Sequence, residues 1–325
     1  MGGISKTAVW SIIWIMMFWN VENFFYPVQE EENDTEYTPA GWRRWNWWKF
    51  NRKCDDIAKI AVLAKERYGK YPMLVGLCEV ENRKVLNSLV YNTILSRLGY
   101  GIIHRDSPDR RGIDVALLYR EEDFRVLRRE FLQIPDTKKG GVLPTREILY
   151  VKGVAEELDT LHCFVNHWPS KLGGEKRSQY KRVAAMERLK GKCDSILSAD
   201  SLANIVVMGD FNTEADSPLL AGFAGLVNMS TEPCAKAGKE GVAAGSYKYK
   251  GEWENIDHFL LSESLYNGRW FNAGGGAEIF VSDYLLEKDA AYSGYKIKRT
   301  LIGPRYNGGV SDHLPIILKI FQEEY

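Results

Sequence analysis

The sequence predicts an α/β protein of the α+β kind, in which mainly antiparallel strands form a layered sandwich with helices outside. Two observations predict this class. Segments with strand periodicity outnumber those with helical periodicity, and several strands follow one another without a helix between them. A doubly wound parallel sheet needs a crossover helix between its strands. No Pro/Gly linker or internal repeat divides the chain, so we expect one domain over residues 1–325.

The first predicted element is a buried strand in the apolar segment 8–19. This segment follows Lys6 as a signal peptide would, but it lacks a small-residue cleavage site and is too short to cross a bilayer as a helix. It also runs directly into the polar residues 20–23, discussed below. We therefore expect a core strand, no membrane insertion and a cytoplasmic location. An export signal upstream of this sequence is the alternative.

The period of the apolar residues predicts the other elements. Helical spacing indicates helices over 50–69, 83–98 and 175–198. Apolar runs and alternation indicate strands over 73–80, 113–119, 124–134, 147–155, 160–166, 204–208, 246–250, 256–261 and 314–320. The segment 232–245, rich in Gly, Ala and Lys, is predicted to be an exposed loop.

Charge and cysteine content restrict the classes of function. Lys+Arg and Asp+Glu both total 43, so the net charge is zero. Dedicated duplex-binding proteins usually carry a basic surplus, because neutralised phosphates release counterions. Zero charge therefore disfavours tight binding to any duplex, although a local basic stripe would suffice for nucleic acid. The five cysteines include no C-x-x-C pair, which favours a reducing compartment.

Polar residues border apolar strands at six places. In the strongest case, Asp210 and Asn212 end the strand that begins at Asn204, and residues two apart on a strand face the same side. A turn explains this pair equally well. Asp312 and His313 precede the last strand. The other four places are Asn166-His167, Asp257-His258, Glu79 and the Asn20 to Glu22 segment.

One polar strand end is more often structural than catalytic, but strand ends of one sandwich gather along a common rim. Six of them together favour a site for a hard cation. Oxygen-rich ligands favour Mg²⁺ or Mn²⁺, and the absence of a Cys/His cluster in the sequence disfavours zinc.

These motifs resemble the endonuclease/exonuclease/phosphatase superfamily, which includes deoxyribonuclease I, abasic-site endonucleases, sphingomyelinases and inositol-polyphosphate 5-phosphatases. The matching segments follow the family's order: WNVEN at 19–23, CEVEN at 78–82, RGIDVALLY at 111–119, NHWPSK at 166–171, GDFN at 209–212, IDHFLLS at 256–262 and SDHLP at 311–315. Each is weak alone, whereas the ordered set is specific. The NVEN form is most similar to bacterial members.

The resemblance implies a four-layer sandwich, with two packed sheets flanked by helices, and a role for each matching residue. Asn20, Glu79 and Asp312 are expected to hold the metal. Asp210 is expected to activate water, Asn212 to stabilise the pentacovalent centre, and His313, oriented by Asp257, to bind the scissile phosphate. His167 is the expected second histidine, where abasic-site endonucleases have tyrosine. Asp114 as the partner of His167, and Arg146 and Arg177 as phosphate contacts, complete the set.

The leading hypothesis is a monomeric phosphodiesterase, most simply a nuclease. The alternatives are a phosphatase or phosphodiesterase acting on a small molecule or lipid headgroup, and a binding module on an inactive scaffold. The segment 42–50 (WRRWNWWKF) interleaves aromatic and cationic residues, as in stacking platforms for single-stranded nucleic acid. Anchoring the following helix is its simpler interpretation, because Trp more often fills a core.

Overall fold

The computed structural model describes residues 9–29, 32–155, 160–171, 174–223, 225–229, 243–268, 271–272 and 276–324. Within these ranges the helices are α1 (Trp47–Tyr68), α2 (Arg83–Tyr91), α3 (Glu175–Ala199), α4 (Pro218–Ala221) and α5 (Glu263–Tyr266), with short 3-10 helices at Glu32–Tyr37, Ile94–Arg97 and Asp283–Leu285. The strands, in chain order, are β1 (Val9–Phe24), β2 (Leu74–Val80), β3 (Tyr100–His104), β4 (Asp114–Arg120), β5 (Phe124–Leu132), β6 (Ile148–Ala155), β7 (Thr160–His167), β8 (Asn204–Asp210), β9 (Leu226–Asn228), β10 (Tyr247–Tyr249), β11 (Glu252–Glu254), β12 (Asp257–Ser262), β13 (Phe271–Asn272), β14 (Glu278–Ile279), β15 (Leu286–Lys288), β16 (Tyr295–Ile297), β17 (Leu301–Ile302), β18 (Arg305–Tyr306) and β19 (Ile316–Glu324).

Two large sheets form the centre of the described structure. The first has the order β13-β19-β1-β2-β4-β3, with β14 also paired to β19, and the second has the order β5-β6-β7-β8-β12-β9. The pairs β1–β2 and β7–β8 are parallel, and the other pairs within these two sheets are antiparallel. The layered, mainly antiparallel sandwich expected from the sequence is confirmed.

The apolar N-terminal segment is the core strand that its composition predicts. Its side chains alternate between two buried layers, since both faces of the first sheet are covered. Met17 and Trp19 face α1, where they approach Ile57. Phe18 faces the second sheet and meets Met208 across Gly76, where an added Cβ would lie 2.6 Å from the Met208 sulfur.

Helix α3 covers the outer face of the second sheet. Ala184 and Leu189 of this helix share a buried cluster with Phe164 and Val207, which point away from the first sheet. Together with α1 and α2 outside the first sheet, this gives the four layers that the family resemblance implies.

Helix α1 begins and ends with capping residues. The Asn46 side chain accepts a hydrogen bond from the Lys49 amide, and Gly69 closes the helix in the left-handed conformation. Its buried stripe includes Phe50, Ile57 and also a cation, Lys53, which is 2% exposed. A buried lysine needs oxygen partners, and the site described below provides them.

The predicted ranges differ from the structure mainly at their ends. The helix predicted over 83–98 stops at Tyr91 and resumes as the 3-10 helix Ile94–Arg97. The Thr93 hydroxyl accepts from the Leu95 amide at this break. The loop predicted over 232–245 lies mostly outside the described residues. Among the described helices, none has the length and apolarity needed to cross a membrane.

Candidate active site

The direction of the strands brings the predicted residues to one rim. Parallel pairing places the carboxyl ends of β1 and β2 together, and likewise those of β7 and β8. Strands β4, β12 and β19 run antiparallel to these neighbours, so their first residues lie at the same edge. The residues gathered there are Asn20, Glu79, Asp114, His167, Asp210, Asp257 and His313.

Side-chain alternation joins the two sheets at this rim. Phe18 and Met208 face each other between the sheets, and the residues two positions further along, Asn20 and Asp210, therefore face each other as well. Asn20 Nδ2 donates to Asp210 Oδ2 at 3.1 Å. Gly209 allows β7 and β8 to approach closely just before Asp210, because a Cβ there would lie 2.6 Å from the Asn166 carbonyl oxygen on β7.

Asp257 and His313 form a buried pair beside Asp210. His313 Nδ1 lies 2.8 Å from Asp257 Oδ2, which also accepts from the Ser246 hydroxyl at 2.5 Å. Because Nδ1 faces a carboxylate, Nε2 points to the open side, 3.9 Å from both Asp210 Oδ2 and Asp312 Oδ1. The Tyr247 ring packs against the imidazole with centroids 4.8 Å apart.

Two groups of this site, His313 and Asp210, have shifted pKa values. Burial alone would lower the pKa of His313, but the charge and hydrogen bond of Asp257, aided by Asp210 and Asp312, raise it to about 10. Burial raises the pKa of Asp210 to about 7, and the Asp257 charge adds to this shift against the opposing effect of His313. The site therefore holds an imidazolium beside a carboxyl group that ionises near neutral pH.

His167 faces Asp210 from the other side, with Nε2 3.7 Å from Asp210 Oδ2. Burial, together with the charges of Arg146 and Arg111, holds its pKa well below the ordinary value, so this imidazole is neutral. The expected pairing of His167 with Asp114 is wrong. Asp114 accepts from the Ser107 amide and lies 3.5 Å from a histidine of the neighbouring strand, His104.

Within the described part of the chain, His167 Nδ1 is buried and has no hydrogen-bond partner. Asp114 belongs to β4 of the first sheet, where its carboxylate already contacts His104 of β3 and the Ser107 amide of the loop after β3. Sequence order alone could not show this competition.

Asn212 and Arg146 hold the loop that follows His167. Asn212 Nδ2 and Arg146 Nη2 both donate to the Trp168 carbonyl, at 3.0 and 2.8 Å. Arg146 Nη1 donates to Asp109 at 2.9 Å, and the residue is 6% exposed. Arg146 is therefore not the phosphate contact that was expected, and it supports the loop after His167 instead. The Asn212 amide also donates to Asp210 Oδ1 at 2.9 Å, which fixes the carboxylate.

The end of β1 carries a second carboxylate. Glu22 accepts from Arg299 Nε and Nη2 at 2.8 and 2.6 Å, and the same Nη2 lies 3.0 Å from Asp312. Burial and Asp312 raise the pKa of Glu22 to about 7 against the opposing charges of Arg299 and Lys53. Lys53 Nζ donates to the Glu22 carbonyl at 2.5 Å and to the Thr300 hydroxyl at 3.0 Å.

Glu79 completes this acidic group at the end of β2. Its carboxylate accepts from the Asn23 amide at 2.8 Å and from Arg111 Nη2 at 3.4 Å. Arg111 also donates to the Asn23 side chain at 3.0 Å. Two half-exposed arginines, Arg111 and Arg299, thus sit among the carboxylates of this rim.

Left-handed backbone marks the residues at these strand ends. Glu22 and Asn23 have φ of 48°, Asn212 has 51° and Glu79 has 62°, values that residues other than glycine rarely adopt. Alternation would point Glu79 towards α1, as it does Leu77, but the backbone turn redirects it towards Asn23. Strained backbone of this kind costs on the order of 1–3 kcal/mol per residue and is concentrated at functional sites.

The donor set fits a hard divalent cation. Glu22 Oε2 is buried and makes no hydrogen bond to any described residue. Arg299 Nη2 contacts both Glu22 and Asp312, and Asn20 and Glu79 come from the paired ends of β1 and β2, so the oxygens on this side of the rim are carboxylate and amide oxygens, the chemistry that Mg²⁺ and Mn²⁺ prefer. The tight group Asp210, Asp257 and His313 is a poorer metal site, because a protonated imidazole repels a cation.

The sequence missed four contributors to this rim. Glu22 and Arg111 lie inside recognised motifs but carried no expected role. Lys53 left a signal, since it falls on the apolar stripe of α1 between Phe50 and Ile57. Arg299 left none, because a hairpin brings it there from outside any motif. The side chain of Arg177 lies outside the described residues.

Comparison with known proteins identifies the family of the chain. Residues 15–322 match the sequence profile of the endonuclease/exonuclease/phosphatase family. No curated protein sequence matches the chain significantly.

Among solved structures, a mannosyl-6-phosphatase of Bacteroides thetaiotaomicron has a TM-score of 0.59 at 14% identity, covering 95% of this chain and 99% of its own. The human Nocturnin catalytic domain has a TM-score of 0.55 at 17% identity, covering 98% of each chain. Truncated TDP2 from Caenorhabditis elegans has a TM-score of 0.56 at 14% identity, covering 95% of this chain and 97% of its own. At these identities the likeness shows a shared fold. The chain therefore belongs to the endonuclease/exonuclease/phosphatase family of metal-dependent phosphoesterases.

Proposed function

We propose that this protein hydrolyses phosphodiester bonds of nucleic acid by attack of a water molecule activated at Asp210. The observation that carries the proposal is the row His167, Asp210, His313 and Asp257. In this row a carboxylate lies 3.7 Å from a neutral imidazole and 3.9 Å from a charged one. A base, a neutral hydrogen-bonding group and a cation at one point are the parts that attack on a phosphate anion requires.

Asn20, Glu79 and Asp312 would hold Mg²⁺ or Mn²⁺, with Glu22 as an additional ligand. The bound cation would neutralise charge on the phosphoryl oxygens, which stabilises the transition state by several kcal/mol at Lewis-acid sites in general. Arg111 and Arg299 now neutralise the same carboxylates and are exposed enough to turn towards a phosphate.

Asp210 accepts the proton of the attacking water in this proposal. Its two oxygens are fixed by the Asn212 amide and the Asn20 side chain, which leaves the carboxylate aimed at the open side of the rim. A pKa of about 7 makes it an effective base at neutral pH. The remaining hydrogen on Asn212 Nδ2 would donate to an equatorial oxygen of the pentacovalent phosphorus.

His313 supplies the positive hydrogen-bond donor. With Nδ1 held by Asp257, protonated Nε2 donates to the scissile phosphate and stabilises the charge that develops in the transition state. His167 Nε2, uncharged, would contact a second non-bridging oxygen. Each role is assigned to an atom that faces the rim.

The zero net charge favours a second candidate, a phosphatase or phosphodiesterase for a small phosphorylated molecule or a lipid headgroup. Such a substrate needs only the cations of the rim, whereas a polynucleotide needs a cationic surface beyond it. The family resemblance, and one structural neighbour named as a mannosyl-6-phosphatase, also support this candidate.

A substrate panel distinguishes the two candidates. Purified protein with Mg²⁺ or Mn²⁺ is incubated with plasmid DNA, single-stranded DNA, RNA, bis-p-nitrophenyl phosphate, sugar and inositol phosphates and sphingomyelin, each with an EDTA control. We expect metal-dependent cleavage of a polynucleotide and of bis-p-nitrophenyl phosphate. Cleavage confined to the phosphomonoesters or the lipid would contradict the nucleic-acid proposal and support the second candidate.

A further inference from the structure

Four aromatic residues and several cations form one surface beside the active-site rim. Trp42, Trp47 and Trp48 come from the start of α1 and the turn before it, and Tyr306 comes from the β17–β18 hairpin. The cations are Arg43, Arg44, Lys49 and Arg305. We call these eight residues the Trp–Arg surface.

The rings of Trp42 and Trp48 are displayed, whereas Trp47 also packs edge to face on Tyr26 and Phe50, and Tyr306 is half-buried against the core. Trp42, Trp47 and Trp48 are 53%, 45% and 64% exposed. Trp45 meets the need for an anchor, because it is 1% exposed and its indole donates to the Phe25 carbonyl at 2.8 Å. Anchoring the helix, the simpler interpretation of this segment, therefore accounts for Trp45 and in part for Trp47, but not for Trp42 or Trp48.

Contacts between neighbours hold the surface in place before any ligand binds. The Trp48 and Tyr306 rings meet edge to face, with centroids 5.3 Å apart. The Arg43 guanidinium lies 4.4 Å from the centre of the Trp42 ring, and Lys49 Nζ lies 5.6 Å from that of Tyr306. Ordered rings lose little conformational entropy on binding.

The surface is cationic. Glu36 neutralises Arg43 at 3.0 Å, while the side chains of Arg44 and Arg305, both exposed, form no ion pair with any described residue. Exposed rings interleaved with such cations match a flexible strand with bases to stack and phosphates to neutralise.

The same hairpin connects the surface to the active site. Arg43 Nη1 donates to the Gly303 carbonyl of the hairpin at 3.4 Å. Four residues earlier, Arg299 contacts both Glu22 and Asp312. The Gly309 amide donates to the Arg299 carbonyl at 3.1 Å, which closes the base of the hairpin against the motif at 311–315. A strand held at the rim could therefore continue along the hairpin onto the surface.

We propose that the Trp–Arg surface binds the single-stranded part of a nucleic-acid substrate, stacking its bases on Trp42, Trp48 and Tyr306 while the rim holds a phosphate. The inference rests on the proposed function for the identity of the bound phosphate. It predicts preference for single strands or frayed ends over closed duplex, because paired bases have no free faces to offer.

Binding of a fluorescent single-stranded oligonucleotide of about 20 nucleotides, long enough to span such a surface, tests the proposal in EDTA, where no cleavage occurs. We expect Trp48→Ala to weaken binding at least about 5-fold, the lower limit for losing one stacked base. Arg44→Gln should reduce the salt dependence of binding. Tyr91→Ala is the matched control, because this ring is 56% exposed on α2.

Equal binding by the wild type, Trp48→Ala and Arg44→Gln would overturn the inference. So would a Trp48-dependent association with phosphatidylserine vesicles that leaves oligonucleotide binding unchanged, since the surface would then serve a membrane. Wild-type turnover of bis-p-nitrophenyl phosphate is measured separately. Trp48-dependent strand binding without turnover would contradict the proposed function alone, and turnover with Trp48-independent binding would contradict this inference alone.

Discussion

The charge states of the two rim histidines differ because their partners differ. His313 faces the Asp257 carboxylate, whereas His167 faces the rim with the positive charges of Arg146 and Arg111 nearby. One imidazole is therefore a cation and the other is neutral, although both are buried. A sequence in which each histidine adjoins a polar residue gives no sign of this difference.

The Asp257–His313 pair makes stability depend on pH. The ordinary pKa of histidine is 6.5, and in the fold the pKa of His313 is about 10. The stability contributed by the pair is complete below pH 6.5 and is lost as pH rises towards 10. In EDTA, we expect the difference in unfolding free energy between the wild type and Asp257→Asn to shrink across this range.

His162→Gln is the control for this pH series. His162 bonds to the Tyr150 hydroxyl, and burial, with Lys152 nearby, lowers its pKa to about 4, so from about one pH unit above the ordinary value of 6.5 it is neutral both folded and unfolded. Its effect on stability should therefore be constant from about pH 7.5 to 10. A difference that stays constant for Asp257→Asn as well would show that His313 is not held as a cation.

At the scale of elements, α1 supports the end of β1 through one buried cation. Lys53 donates to the Glu22 carbonyl and to Thr300, and so ties the helix to both the strand end and the hairpin that carries Arg299. Burial lowers the pKa of Lys53 to about 8 against the opposing carboxylates Glu22, Asp312 and Glu79.

We expect Lys53→Met to lower the free energy of unfolding by about 1–3 kcal/mol, because buried acceptors lose their donor. Urea denaturation measures this loss. Lys59→Met, an exposed position on the same helix whose amine contacts the Tyr284 ring, should cost less. Equal losses for the two variants would contradict the proposed link between helix and strand.

The sequence predicted most of the long elements and few of the short ones: β10 (Tyr247–Tyr249) falls in the predicted strand 246–250, but β3 (Tyr100–His104) of the first sheet was missed. Residues 204–208 and 8–19 have enough apolar side chains for burial on both faces to identify them as strands. The two-residue strands β17 and β18 have no such pattern, since the turn at Gly303 and the contacts of their neighbours fix them. This hairpin positions Arg299, just before it, at the rim and Tyr306, within it, on the Trp–Arg surface, and for that reason neither was foreseen.

At the scale of the whole molecule, neighbouring strands of the first sheet bring like charges together at the rim. Glu22, Glu79 and Asp312 come from three strand ends, and the arginines between them offset only part of their repulsion. A cation that binds the folded state should therefore stabilise the protein, by roughly 2.7 kcal/mol at a concentration 100 times its dissociation constant.

Thermal unfolding with increasing Mg²⁺ or Mn²⁺ measures this effect. We expect the unfolding temperature of the wild type to rise with metal concentration and that of Glu79→Gln to stay nearly constant. Glu66→Gln, which removes an exposed carboxylate from α1, should respond like the wild type. An unchanged response in Glu79→Gln would place the metal elsewhere.

The topology explains why the rim residues were foreseen better than their contacts. Strand ends gather wherever neighbouring strands share an edge, so the positions of Asn20, Asp210 and His313 follow from motifs and order. The partner of a side chain depends on which sheet it belongs to and which neighbour is nearer. Asp114 illustrates this, since it lies at the rim but is engaged by Ser107.

The central claim is that Asp210 and His313 act together with a divalent cation on a phosphate ester. Initial rates with bis-p-nitrophenyl phosphate, measured against Mg²⁺ and Mn²⁺ concentration, test it most directly. We expect no turnover in EDTA, saturable turnover with metal, losses of about 100-fold or more in Asp210→Asn and His313→Ala, and wild-type rates in His162→Gln. Turnover that persists in EDTA, or that survives both substitutions, would contradict the account.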